Sequence, residues 1–365
     1  IKVHQALLTE TLSLSEEEYQ TIVDACRVGR EMEEPLLELL TDYLLALSHY
    51  HAGEYDDAEF KAQQSLKIAE QINDMYFQGK VSGLLFSVYV KNAAYQKAEA
   101  MAAKDIEAKR SSGDQYGLAS ALYNFKFISS VRGEDLTISR TIYEERLAIA
   151  LRLNDLGLQG NIKGTMAIKC AQTNHIDEAR QLADETLTIA DYLNSDRLRI
   201  ISYQALVLAS IAIKDYTAGM AYTHKQIQLN YSDIWMAGDA LLRRGFIACA
   251  QGRFADARCY LRYAVTHVPH NTIWKYILIR CMTQIVAHEG DYQYATEVLG
   301  LYYTGESEYN LNTEYAPVML ELMQSLKDKL GQEAYTAAWQ KGTKLDVDIT
   351  YNRLLQDYLG VNSTQ

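Results

Sequence analysis

Proline and glycine are scarce in this chain, which has 3 Pro and 20 Gly among its 365 residues. Both residues interrupt helices, so their scarcity permits long helical segments. A β-sandwich or a propeller would instead need turn residues about every 8–12 positions. The runs between the few turn residues are rich in Ala, Leu, Glu, Gln and Lys, which are strong helix formers. We therefore expect an all-α fold.

Cysteine is also rare, and no Cys-x-x-Cys pair is present. An odd number of cysteines at irregular spacing argues against the disulfide framework of a small secreted protein. Most of them lie beside Ala, Ile or Met, where a free thiol packs as a small apolar group. We expect core positions for the 5 cysteines, which are Cys26, Cys170, Cys249, Cys259 and Cys281.

The sequence lacks the histidine spacings that metal sites require. His49 and His51 are two residues apart and therefore face different sides of a helix. His288 is not followed by the second histidine of a helical zinc motif. His267 and His270 would need further ligands from elsewhere in the chain. We expect no metal ion and no cofactor.

Signatures of catalysis are missing as well. Gly79-Lys80-Val81-Ser82-Gly83 contains a lysine and a serine among glycines, but it lacks the spacing of a phosphate-binding loop. No segment matches a nucleophile elbow or a dinucleotide-binding loop. The sequence therefore favours a protein that is not an enzyme.

Positive charge is in deficit, with 35 Lys and Arg against 47 Asp and Glu and a net charge of −12. A surface that binds a nucleic-acid duplex normally carries a basic patch. The stretch most like a basic patch is spread over two predicted helices and includes Asp256. We therefore expect this stretch to be a solvated face, and we expect no direct nucleic-acid binding. The basic residues of the stretch are Arg243, Arg244, Arg253, Arg258 and Arg262.

Long apolar runs are absent, and none approaches the roughly 18 residues that a membrane span needs. The chain begins with Ile1 and has no basic, apolar and small-residue segments in the order of a secretion signal. We expect a fragment of a cytoplasmic protein that does not contact a membrane.

A short turn motif recurs along the chain. Ala52-Gly53-Glu54-Tyr55-Asp56-Asp57-Ala58 has close copies at 252–257 and 290–295 and weaker ones at 94–98, 174–179 and 215–219. Gly or Asn can end one helix in the left-handed conformation, and the aromatic residue then fills the space between two antiparallel helices. A residue that is usually small follows each turn, and successive copies of it are 40, 40, 41, 40, 38 and 38 residues apart. These residues are Ala58, Ala98, Ile138 (or Ser139), Ala179, Gly219, Ala257 and Ala295.

A second type of turn lies half a unit away from the first. Asn73-Asp74, Asn154-Asp155 and Asn194-Ser195 combine a residue that tolerates left-handed geometry with one that caps the next helix. A fixed period of this length with two turns per unit predicts a repeat of helical hairpins.

The repeat divides the chain into three regions. Residues 1–33 are predicted to be lead-in helices, and residues 34–304 seven repeats. Residues 305–365 are predicted to form a degenerate eighth repeat and a capping helix, beginning with a polar loop at 304–308. Repeat arrays need such ends to cover an open apolar face.

These residues resemble the tetratricopeptide repeat. Leu45-Ala46, His49, Gly53, Tyr55 and Ala58 fall at its core and turn positions, and the resemblance covers residues 34 to about 300, about three quarters of the chain. The units here are longer than the family's 34 residues and lack its frequent proline. The resemblance implies a right-handed superhelical solenoid of about seven to eight repeats of 38–41 residues.

A shorter resemblance lies near the C-terminus. The segment Leu330–Gly342, with its string Ala337-Ala338-Trp339-Gln340-Lys341-Gly342, is similar to the element that closes the repeat arrays of large bacterial STAND-type regulators. This resemblance implies a sensor for signal transduction or transcription regulation, joined to a switch domain at its N-terminal end.

The first helix of each tetratricopeptide unit lines the concave face of the array. The resemblance therefore implies a groove that binds a protein, a peptide or a small effector, and the alternatives are a structural scaffold or a regulatory enzyme with an unrecognised site. The predicted groove residues are Tyr43, Tyr50, Lys80, Tyr123, Asn161, Gln204, Arg280 and Gln284.

Overall fold

The structure of the protein is a computed structural model that describes residues 16–32, 34–92, 94–131, 136–229, 234–266, 272–309 and 316–361. Every regular element in this part of the chain is a helix, as the composition predicts. The described residues form two compact units, which divide between Ser130 and Val131 and lie within residues 16–130 and 131–361.

The first unit contains helices of 16 to 18 residues. They are α1 (Glu16–Glu31), α2 (Pro35–Ala52), α3 (Tyr55–Gln71), α4 (Met75–Lys91), α5 (Tyr95–Ser112) and α6 (Gln115–Val131), the last of which ends at the unit boundary.

The second unit begins with the same helix lengths and ends with shorter helices. They are α7 (Leu136–Arg152), α8 (Leu156–Gln172), α9 (Ile176–Tyr192), α10 (Asp196–Ala212), α11 (Tyr216–Gln228), α12 (Ile234–Ala250), α13 (Phe254–Val265), α14 (Thr272–His288), α15 (Tyr292–Tyr309), α16 (Ala316–Leu330), α17 (Gln332–Gly342) and α18 (Val347–Leu354), which continues as a π-helical turn (Leu355–Leu359).

One backbone hydrogen bond recurs at almost every turn. The N–H of Glu54 donates to the carbonyl of His49, five residues earlier, at 2.9 Å. This bond satisfies a carbonyl that the helix end would leave without a partner. The same five-residue bond closes the turns at Asp74, Ala94, Asp114, Asp155, His175, Ser195, Asp215 and Arg253. The backbone therefore repeats about every twenty residues, which is half of the period of the sequence.

Where the reversing residue of a turn is described, it has a positive φ, as predicted for glycine and asparagine. Glycine takes this place at Gly53, Gly113, Gly252 and Gly290, and asparagine at Asn73, Asn154, Asn174 and Asn194. The second turn type also caps the following helix as expected. Asp74 and Asp155 accept hydrogen bonds from backbone N–H groups three residues later, at 3.1 Å and 2.8 Å.

The small residues after the turns are buried, which confirms their predicted role. Ala58, Ala98, Ala179, Ala257 and Ala295 are all 0% exposed. In the third unit Ser139 is buried, and the side chain of Ile138 lies outside the described residues. An alanine has no side chain beyond Cβ, so the two helices of a hairpin can approach closely at this position.

Packing between neighbours supports a repeat of hairpins. In each unit most consecutive helices contact each other along the chain. In the second unit the alternate helices α8, α10, α12 and α14 also contact one another in series. A side-chain contact repeats too, because Gln78 and Gln159 each donate an amide N–H to the carbonyl of a residue nine positions earlier. Stacked helical hairpins produce this contact pattern.

The last helices pack through glycine. A Cβ added at Gly342 of α17 would lie 2.0 Å from the carbonyl oxygen of Glu297, and one added at Gly300 of α15 would lie 2.5 Å from the carbonyl of Trp339. The backbones of α15 and α17 therefore touch. The glycine that ends the Ala-Ala-Trp-x-x-Gly string is needed because no larger residue fits this crossing.

One local prediction in this region is wrong. Residues 304–308 were predicted to be a polar loop, but α15 continues through them to Tyr309. A polar last turn costs a helix little when its hydrogen bonds continue from a turn that is already packed, here around Leu301 and Tyr302, both nearly fully buried.

Candidate functional site

The structure distributes the predicted groove residues over both units. Tyr43, Tyr50, Lys80 and Tyr123 lie in residues 1–130, and the other four in residues 131–365. Three of the eight side chains are nearly closed to solvent: Tyr43 is 8% exposed, Arg280 1% and Gln284 7%. A ligand would reach these three only if neighbouring side chains moved.

The other predicted residues of the first unit contact aromatic neighbours. The ring of Tyr50 lies 5.9 Å from that of Tyr55 across the turn. The Lys80 ammonium lies 5.7 Å from the ring centre of Tyr76, one turn away on the same helix. Tyr123 is 39% exposed, and an ammonium group of its own helix lies 5.7 Å from its ring. Each contact is a cation–π or aromatic pair on the surface.

Asn161 lines an open hollow of about 480 Å³ in the second unit. We call it the α8–α10 hollow, because those helices supply most of its wall. It is lined by Asp155, Gly157, Leu158, Asn161, Leu193, Ser195, Arg197 and Leu198. Gln204 lies two turns further along α10 and is half-buried outside the lining.

The hollow forms because two successive turns of the Asn-Asp type stand side by side. Asp155 caps α8 by accepting the N–H of Leu158 at 2.8 Å, and Ser195 caps α10 by accepting the N–H of Leu198 at 3.4 Å. These bonds fix the first turns of both helices, from which the lining side chains extend. The two turns are one repeat apart in sequence, so the period itself brings them together.

Two polar side chains of the lining are not engaged by the protein. Arg197 is exposed and makes no ion pair or hydrogen bond within the described part of the chain, and the Asn161 side-chain amide makes no hydrogen bond there. The nearby Arg199 differs, because it binds Asp191 at 3.1 Å and Asp196 at 2.7 Å and so braces the turn. Arg197 and Asn161 therefore keep their donors available.

The rest of the lining is apolar or small. Leu193 is 40% exposed, whereas Leu198 is buried at 4%. Gly157 leaves room, since a Cβ there would meet its nearest neighbours only at 3.4 Å and 4.0 Å. The lining contains no histidine or cysteine, and the side chains of its Asp155 and Ser195 accept the capping hydrogen bonds of α8 and α10.

Of these lining residues, Asn161 was predicted from the sequence, whereas Arg197 and Leu193 were not. The prediction counted positions on first helices from the small residue after each turn, and Arg197 lies too early in α10 for that count. The available signal was the pair of Asn-Asp turns one period apart, because residues just after such turns must share a wall.

A second cluster lies at the turn between α2 and α3. One ligand atom each of His49, Glu54 and Asp57 lies within 4.8 Å of the others. The Nδ1 atom of His49 is 2.6 Å from Oε2 of Glu54. Nitrogen and carboxylate oxygen are ligands of transition metals, so these three residues are able to hold a metal ion. This cluster was not predicted from the sequence, because each histidine was compared only with other histidines and not with the carboxylates across a turn.

The predicted core role of cysteine is confirmed for Cys170, Cys249 and Cys281, which are buried. Burial raises the pKa of Cys170 to about 12 and that of Cys281 to about 11, so neither thiol ionises near neutral pH. Cys259 is exposed, which corrects the prediction for that residue, and the side chain of Cys26 lies outside the described residues.

The arginines of the weak basic stretch are engaged within the protein. Arg243 pairs with Asp239 at 2.9 Å, and Arg253 pairs with Asp256 at 2.5 Å. The other contacts are from Arg244 to the ring of Tyr260, and from Arg258 and Arg262 to carbonyls of the C-terminal π-helical turn. The stretch is therefore partly structural rather than only a solvated face. His267 and His270, for which no metal site was expected, lie outside the described residues.

No protein-family model matches this sequence, and no curated protein matches it significantly. No helix in the described part of the chain is long and apolar enough to cross a membrane.

Proposed function

We propose that this chain is a non-catalytic binding module of the tetratricopeptide type, and that the α8–α10 hollow binds a segment of a peptide or protein. The observation that carries the proposal is the hollow itself. It combines an unengaged guanidinium, an unengaged amide and exposed apolar surface on helices that the repeat holds in place.

The lining defines the chemistry of the ligand. A guanidinium pairs with a carboxylate through two parallel hydrogen bonds, and an amide can both donate to and accept from a peptide backbone. Leu158 and Leu193 offer an apolar surface beside these groups. We infer an extended acidic segment with one apolar side chain as the preferred ligand class.

The wider context of the module belongs to the same proposal. The tetratricopeptide resemblance supports a right-handed superhelix, and the resemblance of residues 330–342 supports a sensor region in a larger cytoplasmic bacterial regulator. In such a protein the N-terminal end of this chain would join a switch domain. The competing hypothesis is a structural scaffold, in which the hollow has no ligand.

A thermal-shift screen of the purified chain separates these hypotheses. The probes are short synthetic peptide pools, one acidic and one neutral, together with sugars and nucleotides, all in the presence of EDTA to remove metal ions. We expect the acidic peptide pool to raise the melting temperature most, because a ligand of the folded state stabilises it by mass action. A shift with nucleotides or sugars alone would refute the peptide proposal, and no shift with any probe would favour the scaffold.

A further inference from the structure

The turn that joins α2 to α3 places three metal-ligating side chains together. His49 lies in the last turn of α2, Glu54 directly precedes α3, and Asp57 lies in the first turn of α3. Their ligand atoms lie within 4.8 Å of one another. This cluster lies outside the α8–α10 hollow and has no part in the proposed function.

The backbone fixes the first two of these residues relative to each other. The N–H of Glu54 donates to the carbonyl of His49 at 2.9 Å, and the N–H of Gly53 donates to the carbonyl of Tyr50 at 3.2 Å. Gly53 has a φ of 81°, which glycine adopts without strain. The turn therefore brings the two side chains together without any contribution from a metal ion.

The equivalent turn between α8 and α9 shows how the protein neutralises such a cluster elsewhere. Cys170, His175 and Glu178 stand at the same relative positions as His49, Glu54 and Asp57. There the Arg140 guanidinium binds both carboxylate oxygens of Glu178, at 2.7 Å and 2.8 Å. A cation from the protein thus occupies the place beside the acidic residue.

The turn between α2 and α3 has no such cation. Within the described part of the chain neither Glu54 nor Asp57 pairs with a lysine or an arginine. Two carboxylates therefore converge beside the His49 imidazole, and neither is paired with a lysine or an arginine among the described residues. A bound cation would neutralise them, as Arg140 does in the equivalent turn.

We propose that His49, Glu54 and Asp57 bind one divalent transition-metal ion of the Zn²⁺ class. Zn²⁺ accepts one imidazole nitrogen and carboxylate oxygens at about 2.0–2.2 Å. Mg²⁺ and Ca²⁺ prefer oxygen ligands alone and more of them, so the histidine disfavours both ions. The Glu54 side chain is 55% exposed, which leaves a coordination position open to water. The ion links the end of α2 to the start of α3.

The test is isothermal titration of the untagged full chain with Zn²⁺, supported by the visible absorption of bound Co²⁺. We expect one ion per chain. His49→Ala and Asp57→Asn should each weaken binding at least about tenfold, because each removes a ligand. His51→Ala and Asp56→Asn are matched controls, since each makes the same chemical change next to the cluster, and both should bind as the unmodified chain does.

Circular dichroism of each variant shows whether it is folded, and Asp57→Asn keeps the test valid if His49→Ala does not fold. Binding that is equal in Asp56→Asn and Asp57→Asn would overturn the proposal, because the carboxylates would then attract cations only by net charge. Absence of Zn²⁺ binding by the unmodified chain would overturn it as well.

Discussion

The recurring turns and the crossing of α15 with α17 both bring two helices close together, but they make different demands on the sequence. At the turns, the residue that closes the five-residue backbone bond is Glu, Asp, Ala, His, Ser or Arg. The backbone makes the closing bond there, so several kinds of side chain can occupy the position, although some of them also cap the next helix. At the crossing, Gly300 and Gly342 face backbone atoms of the other helix at distances that exclude any side chain.

This difference separates structure from potential function. Positions that several kinds of side chain can occupy are where a repeat protein can acquire a ligand without losing its fold. Both the α8–α10 hollow and the His49 cluster use such turn positions. The crossing leaves no room for a Cβ at Gly300 or Gly342, so its sequence is constrained by packing.

The largest expected effect on stability comes from a substitution at the crossing of α15 with α17. Gly342→Ala places a Cβ 2.0 Å from the Glu297 carbonyl oxygen, which is far inside van der Waals contact, and the two helices must separate. We expect a loss of about 3 kcal/mol in the free energy of unfolding, measured by urea denaturation. The control is Gly157→Ala, the same change in a helix with room for the methyl group, which should be neutral or slightly stabilising. Equal stability of the two variants would show that α15 and α17 are not in backbone contact.

The next largest expected effect is on the pH dependence of stability, and it arises from a buried aspartate within the repeat. Asp105 is fully buried against Gly79 and Gly83 of α4 and pairs with Lys109 at 3.0 Å. Burial raises the pKa of the Asp105 carboxyl from 3.8 to about 6, although Lys109 acts in the opposite direction. Between these values the folded state binds more protons than the unfolded state, so this carboxyl lowers stability as pH rises.

Asp105→Asn removes that titration and keeps the shape of the side chain. The free energy of unfolding of the variant minus that of the unmodified chain should increase by up to about 3 kcal/mol from pH 4 to pH 7. Urea denaturation at several pH values measures it. A difference that stays constant with pH would mean that Asp105 titrates normally in the folded protein.

The smallest expected effect on stability comes from a turn in which a residue other than glycine or asparagine has a positive φ. Lys214 has a φ of 61°, and among the described residues it is the only one with a positive φ that is neither glycine nor asparagine. Lys214→Gly relieves this strain and should raise the melting temperature by about 2–4 °C. Lys214→Gln is the control, because it removes the exposed ion pair with Glu321 but keeps the strain. If both variants melt alike, the turn is not strained.

Much of the fold could be predicted from local patterns. The left-handed residues at Gly53 and Asn154, the cap at Asp155 and the buried Ala58 all follow from rules that act over a few residues. The crossing at Gly342 could not be predicted, because it depends on which distant helices meet.

The candidate site was less accessible to sequence reasoning. Arg280 and Gln284 are polar residues on a first helix, and the pattern could not show that packing from neighbouring helices buries them. Asn161 was identified by its place in the repeat. Arg197 and Leu193, its neighbours across the hollow, come from a turn about forty residues after that of α8, so the period was needed to associate them.

The central claim is that the α8–α10 hollow is the binding surface, and one measurement tests it most directly. The affinity for the best peptide of the acidic pool is measured for two double variants. The first carries Asn161→Ala and Arg197→Ala. The second, a control, carries Arg180→Ala and Asn352→Ala, which remove the same chemical groups outside the hollow. The account predicts at least about tenfold weaker binding for the first pair, equivalent to about 1.4 kcal/mol, and no change for the second. Undiminished binding by the first pair, with loss in the control pair, would contradict it.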